Sequence, residues 1–285
     1  MTLRAEVAVA LVHYRTPELV RPAVEALAAD LERAGARARI LLVDNGSDEV
    51  GRALWRGLPL ERIDPGVNLG YAGGVCRGVS ASAAPLLVAM NPDVVVRPGC
   101  LALLLDELER GAAAAGPRFD WDEAGRLLLP PTEERTRRAE LAAALAPRLP
   151  GWAAIARRRW RRHARRHWLA DAPFPSRALS GALLAFRRDA WSAIGPFDEA
   201  YRLYFEETDW LERLGAAGLR SVYVPAARAW HLYAQSSRDQ PLASRWFAEA
   251  AARFRARRYG PGFAALLARL ERRATARQPA GRSLD

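Results

Sequence analysis

Short apolar runs alternate with helix-spaced apolar positions along the first half of the chain. Val7-Ala8-Val9-Ala10-Leu11-Val12 is a continuous run of strand length. Thr16 then stands as a helix N-cap, with Pro17 at the first helical position and Glu18 in the first turn. Leu19, Val20, Ala23, Leu27 and Leu31 recur at helical spacing, and Gly35 closes that helix. Arg39-Ile40-Leu41-Leu42-Val43 reads as a second strand, ending in the polar Asp44-Asn45-Gly46-Ser47-Asp48. Leu60-Glu61-Arg62-Ile63 is a third, shorter one. Pro85 to Met90 is another buried strand, stopped by Asn91-Pro92-Asp93. Pro92 cannot donate to a sheet ladder and biases Asn91 away from the helical region. Strands and helices in this order, with polar strand tips, predict a parallel sheet with right-handed crossovers.

The second half is less regular. Leu101 to Leu108 has the pattern of an amphipathic helix, Ala112 to Gly116 that of a strand, and Gly116-Pro117-Arg118 that of a turn. Arg126 to Pro131 reads as loop. Glu134 to Leu145 is helix-compatible and is broken by Pro147 and Pro150, after which Trp152 to Trp168 is densely basic and aromatic. Leu179 to Phe186 predicts a strand, and Arg187 to Trp191 opens a helix ended by Gly195-Pro196. Another helix follows through Trp210 and Leu214. Leu219 to Pro225 predicts a last strand, with Ala229-Trp230-His231 after it. Ser244 to Arg277 reads as two basic amphipathic helices broken at Gly260-Pro261-Gly262, with a disordered tail beyond. Trp246, Phe247, Phe254 and the run from Phe263 to Leu270 have two available partners, the fold itself or a membrane.

Composition narrows the class. At 285 residues and half hydrophobic, the chain can bury a substantial core. No apolar run reaches the roughly 18 residues that span a bilayer. The N-terminus lacks a signal-peptide pattern, so a cytoplasmic protein is expected, peripheral on the inner face of the membrane if it meets one. Cys76 and Cys100 fit no metal spacing and no disulfide framework. The net charge is +11, and every basic side chain besides histidine is arginine. Arg135 to Arg166 carries +10 and Arg253 to Arg277 carries +7, leaving the remainder slightly acidic. Such localised charge suggests an anionic partner.

For Arg157 to Trp168 three readings compete. One is a solvated helix face. The favoured one is an interfacial helix on anionic lipid, with Trp152, Trp160 and Trp168 at the headgroups. Nucleic-acid binding ranks last, because no helix-turn-helix, zinc-finger or aromatic RNA-binding pattern accompanies the charge.

Candidate chemistry sits at the predicted strand tips. Asp93 is either a turn residue or a ligand for a hard cation shared with a substrate phosphate. Asp44 is either turn chemistry or an acceptor for a base N–H or ribose hydroxyls. Gly70, Gly73 and Gly74 allow close backbone approach, with N–H groups available to an anion at a helix start. Glu206, Glu207 and Asp209 crowd three carboxylates into four residues. They favour a helix N-terminus, and like charges also raise one another's pKa, which suits a general base. His231 is either a partly buried polar residue or a ligand.

Three blocks in order, Val43-Asp44-Asn45-Gly46-Ser47, Asn68-Leu69-Gly70-Tyr71-Ala72-Gly73-Gly74 and Asn91-Pro92-Asp93, resemble the N-terminal half of family-2 glycosyltransferases of the rhamnosyltransferase-like branch. Phe197-Asp198-Glu199, then Glu206-Glu207-Thr208-Asp209, then His231 resemble its second half, so the likeness covers about residues 5 to 235. It implies a GT-A fold: a Rossmann-like, mostly parallel α/β sheet flanked by helices, with a basic helical insertion and C-terminal helices. The implied division is a catalytic domain over 1–240 and basic helices and tail over 241–285. The former comprises a nucleotide half to about 118, an insertion over about 132–170 and an acceptor half over about 171–240.

The activity implied is inverting transfer of a sugar from dTDP-rhamnose or a UDP-sugar to a saccharide or polyprenyl-linked hydroxyl. Glu207 falls where the family has its base, with Glu206 as rival. The donor nucleotide is assigned His13, Tyr14, Asp44, Asn45, Ser47, Asn68, Gly70, Gly73, Asn91 and Asp93. Gly181, Glu206 and Asp209 are assigned to the acceptor, and Asp93, His231 and Asn91 to a Mg²⁺ or Mn²⁺ ion. Asn91 stands where the family has the first Asp of Asp-x-Asp, and Arg77 where Asn is expected. A nucleotidyltransferase and a non-catalytic membrane or nucleic-acid adaptor are the alternatives.

Overall fold

The computed structural model describes residues 6–147, 149–232 and 240–275. The elements, in order, are β1 (Val7–His13), α1 (Pro17–Arg33), β2 (Ala38–Asp44), α2 (Glu49–Ala53), β3 (Glu61–Ile63), α3 (Gly70–Ser80), β4 (Leu86–Met90) and β5 (Val94–Val96). Then come α4 (Cys100–Glu109), β6 (Ala114–Asp120), α5 (Arg137–Leu145), α6 (Pro150–Trp168), β7 (Phe174–Pro175), β8 (Leu183–Arg187), α7 (Arg188–Ile194), α8 (Glu206–Ala216), β9 (Ser221–His231), α9 (Gln240–Tyr259) and α10 (Pro261–Thr275). The tail expected beyond Arg277 lies outside the described residues.

One sheet carries the molecule, with strand order β3-β2-β1-β4-β8-β6-β9-β5 and β7 paired to β9. The first four strands are mutually parallel, as their apolar runs predict for a sheet covered on both faces. Beyond β4 the sheet is mixed: β8 runs antiparallel to β4 and β6, whereas β6 and β9 are parallel. Val9, Leu11, Leu42 and Val88 pack on one face against α1 and α4. Ala8, Val12, Leu41 and Leu87 pack on the other against α3 and α8. The α/β class is therefore as expected.

Several boundaries differ for local reasons. Gly116-Pro117-Arg118 is not a turn, since β6 runs through it to Asp120. The ladder to β9 shifts register between Pro117 and Arg118, a bulge where the missing proline N–H costs nothing. For the same reason Ser221 to His231 is one strand rather than a strand with a sequel. Thr16 precedes α1 but its hydroxyl does not cap it; its N–H instead donates to His13 Nε2 at 2.9 Å. Gly73, Gly74 and Gly78 lie inside α3 rather than in a loop. A Cβ on Gly74 would come within 2.5 Å of Val12, and one on Gly78 within 2.6 Å of Ala10, so these two glycines seat the helix on β1.

The C-terminal helices dock on the fold. Phe254 is fully buried and packs with Tyr201, Phe205 and Tyr259. The basic side chains around it are neutralised internally. Arg255 donates to Glu140 at 2.8 Å, Arg258 to Glu212 at 3.0 Å, and Arg253 and Arg257 to Asp198 at 2.9 Å each. Trp160 and Trp168 of α6 also turn inward. Their rings meet edge to face at 5.7 Å, and Trp168 Nε1 donates to the Leu129 carbonyl at 3.0 Å. That face of α6 is taken up by the protein.

Candidate active site

The register of the sheet brings the two halves of the site together. Val94 pairs with His231, which sets the preceding Asp93 beside the imidazole. Asp93 Oδ1 lies 3.4 Å from His231 Nε2, and the Asp93 carbonyl accepts from the Leu232 N–H at 2.9 Å. Asp93 is 2 % exposed, and its Oδ1 has no hydrogen bond among the described residues. The Asn91 N–H donates to the Ala182 carbonyl at 2.9 Å, tying the strand tip to the segment that leads into β8.

Two cavities meet at this tip. The smaller, about 70 Å³, is lined by Tyr14, Asn45, Asn68, Gly70, Asn91, Arg202 and Trp246 among others. Asn45 builds part of its wall, donating to the Gly70 carbonyl at 3.0 Å and accepting from the Leu69 N–H at 3.2 Å. Gly70 has φ +73°, and an added Cβ would lie 2.4 Å from the Arg202 carbonyl oxygen, so only glycine fits this approach. The larger cavity, about 270 Å³, is lined by Tyr71, Asn91, Arg135, Glu206, Glu207 and His231 among others. Tyr71, Asn91 and Leu203 line both.

Asp44, His13 and Ser47 lie underneath rather than in these cavities. Asp44 Oδ1 accepts from the Ser47 N–H at 2.9 Å and the Gly46 N–H at 3.2 Å, while Oδ2 takes Arg52 at 3.0 Å. Burial works to raise its pKa, but these donors outweigh it and hold the carboxyl below its usual range. His13 is fully buried, which lowers its pKa despite the nearby Asp44. Its Nε2 accepts from Thr16, so Nδ1 carries the proton, directed at Ser47 Oγ 3.2 Å away. Of the two readings of Asp44, these bonds match the turn support, and Asp44 lines neither cavity. Gly73 lines neither cavity.

The acidic run opens α8 by an unusual backbone. Tyr204 and Phe205 both have positive φ, +73° and +68°. Such geometry costs about 1–3 kcal/mol per residue and clusters at functional sites. It turns the chain so that Glu206 and Glu207 line the larger cavity from the first turn of the helix. Glu206 is 4 % exposed, with Oε2 lacking a hydrogen bond among the described residues. Burial and the neighbouring Glu207 charge raise its pKa well above the ordinary value. Glu207 is also raised by burial, although the Gly181 N–H and Arg135 are among the groups that draw it back.

Gly181 also lines the larger cavity, beside Glu207. A Cβ there would stand 3.3 Å from Cβ and Cγ of Glu207, so the glycine makes room for this side chain. Asp209 is not part of the cavity. Its carboxylate pairs with Arg213 at 2.9 Å and Arg257 at 3.5 Å, and therefore supports the helix. Tyr71, whose hydroxyl donates to the Gly181 carbonyl, and Arg135 were not legible from sequence. Arg135 reaches the cavity from the segment before α5, 3.3 Å from Glu140 and 5.0 Å from the Phe205 ring centre. Tyr71 falls inside the Asn68 to Gly74 block, but its partner Gly181 is distant in sequence, and no local pattern marks Arg135.

Comparison with known proteins gives the family and the fold. A model described as glycosyltransferase like family 2 matches residues 5–259. A curated relative, N-acetylglucosaminyl-diphospho-decaprenol L-rhamnosyltransferase of Mycobacterium tuberculosis, is 34% identical over 238 residues, covering 77% of this chain and 75% of that protein. The mannosyltransferase PcManGT of Pyrobaculum calidifontis, solved with GDP-Man and Mn²⁺, superimposes with a TM-score of 0.57 at 13% identity. It covers 99% of this chain and 77% of that one. Glucosyl-3-phosphoglycerate synthase of Mycobacterium tuberculosis, solved with Mn²⁺, UDP and glucosyl-3-phosphoglycerate, gives 0.55 at 14% identity, over 89% and 80%. The nucleotidyltransferase alternative gives way: the chain has the GT-A fold and belongs to the family-2 glycosyltransferases.

Proposed function

We propose that this chain transfers L-rhamnose from a dTDP-linked donor to a hydroxyl of a diphospholipid-linked N-acetylglucosamine, with inversion. The acceptor class rests on the rhamnosyltransferase relative. The observation that carries the mechanism is the shared wall of the two cavities. Tyr14, Asn45 and Asn68 flank a space for the nucleotide, and Glu207 flanks the next space along.

Asp93, His231 and Asn91 fit a divalent ion held jointly with the donor diphosphate. A buried carboxylate oxygen without a hydrogen bond and a nearby imidazole supply two donors, and such ions complete their shell with substrate phosphates. When bound, the ion neutralises charge on the leaving diphosphate. Glu207 takes the proton of the acceptor hydroxyl as that oxygen attacks the anomeric carbon. The bond to the acceptor forms on one face while the bond to the diphosphate breaks on the other, which inverts the centre. A carboxylate with a raised pKa is suited to that proton. Asp44 and His13 act one layer back, fixing the turn that carries Asn45. Among the described residues no helix is long and apolar enough to cross a membrane. A peripheral position on the inner membrane face would bring the cavity to a lipid-linked acceptor.

The test is thermal stability against dTDP, UDP and GDP, each with Mn²⁺ and with chelator. A ligand present at about 100 times its Kd stabilises by about 2.7 kcal/mol. A metal-dependent rise with dTDP, lost in Asp93→Ala, is expected, together with loss of transfer in Glu207→Gln. Equal melting with every nucleotide, or unchanged turnover in Glu207→Gln, would overturn the reading.

A further inference from the structure

The two arginine-rich regions differ in how their charge is used. In α9, Arg253, Arg255, Arg257 and Arg258 are committed to carboxylates of the fold. In α6, Arg157, Arg159 and Arg162 pair with no carboxylate among the described residues, and Arg166 stacks on Phe174 at 4.3 Å. The surface charge of α6 is therefore available to a partner.

That charge rims a groove between α5 and α6 of about 620 Å³. Its floor includes Ala139, Ala142 and Ala156, and its rim includes Arg159, Arg162 and Arg166, spaced along one row of the helix. Glu133 and Glu134 also line it, fewer than the arginines. A narrow apolar floor under a cationic rim matches an amphiphile with an anionic head. The groove also continues toward the catalytic centre. It shares Trp160 and Glu133 with a cavity of about 270 Å³ lined by Phe119, Leu129 and Tyr223. That cavity in turn shares Thr132, Ser180 and His231 with the one holding Glu207.

Resting on the function proposed above, we infer that the α5/α6 groove is the subsite for the lipid-linked diphosphate of the acceptor. Arg159, Arg162 and Arg166 hold the diphosphate, the alanine floor takes the first isoprene units, and the aromatic cavity between groove and base holds the sugar. The diphosphate is not consumed; it anchors the acceptor while the hydroxyl reacts elsewhere. Arg158, Arg161 and Arg165 lie on the adjoining row of α6 and line none of these cavities.

The test is calorimetric titration of the full chain with farnesyl diphosphate, with inorganic pyrophosphate and with phosphatidylglycerol vesicles, all without donor. Saturable binding of farnesyl diphosphate, tighter than pyrophosphate, is expected. The combined Arg159→Ala, Arg162→Ala, Arg166→Ala variant should weaken it by about 30-fold or more, as loss of several charge-assisted contacts implies. Arg158→Ala with Arg161→Ala removes charge from the adjoining row and should weaken it by less than about 3-fold, as screened surface charge implies. All these side chains are exposed, so the variants keep the fold. Equal losses in the two variants would overturn the inference in favour of diffuse attraction. Binding to vesicles without saturable farnesyl diphosphate binding would overturn it in favour of a membrane-contact helix. Because no turnover is measured, this result stands apart from the fate of Glu207→Gln.

Discussion

Adding one methyl group at Gly181 tests whether Glu207 is the base. The methyl carbon would stand 3.3 Å from Cβ and Cγ of Glu207 and 3.4 Å from Cδ. Comfortable carbon contacts begin near about 3.5 Å, so a few tenths of an ångström must be found. The backbone is poorly placed to supply them, because the Gly181 carbonyl is held by Tyr71 and the Ala182 N–H by Ser180 Oγ at 3.2 Å. The glutamate side chain is the softer partner. A misplacement of about 1 Å costs roughly 100-fold in rate, and scaling the barrier with distance gives about 3- to 10-fold for Gly181→Ala. Fold stability should change little. The crowding is partly offset by about 0.4–1 kcal/mol from restricting the unfolded chain. The assay is steady-state transfer with the donor varied, beside a melting curve. A lower kcat with donor KM and melting temperature near wild type is expected. Full kcat in a normally melting Gly181→Ala protein would mean that the position of Glu207 does not govern the chemistry.

Other expectations concern charge and packing. Glu206 binds its proton more tightly folded than unfolded, so the native state holds more protons above the ordinary carboxyl pKa and stability falls as pH rises from there. Glu206→Gln removes that dependence, so its melting temperature should overtake wild type with a gap that widens from about pH 4.5 upward; parallel curves would refute this. Glu140 is 2 % exposed and accepts from both Arg255 and Arg135. Glu140→Ala should cost about 1.5–3 kcal/mol, because it removes charge-assisted hydrogen bonds while Arg255 keeps Glu271 as a partner. At about 2–4 °C per kcal/mol the melting temperature should fall by roughly 3–12 °C, and a drop under about 1 °C would show the cluster to be solvated. Phe254→Ala should cost about 3–5 kcal/mol in denaturant unfolding; a loss below about 1 kcal/mol would mean that α9 is not held by this ring.

The parallel half of the sheet was legible because its strands are uninterrupted apolar runs ending in turn residues. Asn91-Pro92-Asp93 was legible for the same reason, since a proline after a buried run fixes where the strand ends and which side chain is presented. The pairing of Asp93 with His231 was open only to the family resemblance, because it depends on a register between strands far apart in the chain. Gly73 lies inside a helix, where an added Cβ would meet Leu69 at 2.9 Å and Glu199 at 3.4 Å, and composition cannot say which way a missing side chain faces. Asp209 suits an acceptor ligand or a helix support equally well in sequence, and only the fold shows it paired with Arg213. The C-terminal arginines gave the same local signal as those of α6. Only the fold distinguishes the paired set from the free one.

Both ends of the segment between β6 and β7 are fastened to the same strand, β9. Changes in its length or sequence therefore leave the register of the catalytic sheet untouched. With the acceptor subsite proposed above in the α5/α6 groove, the segment that would select the recipient and the scaffold that activates it can diversify separately, provided that Arg135 is kept in the Glu207 cavity. Exchanging residues 121–173 between relatives would then reassign the recipient while keeping the donor, a natural cassette for engineering.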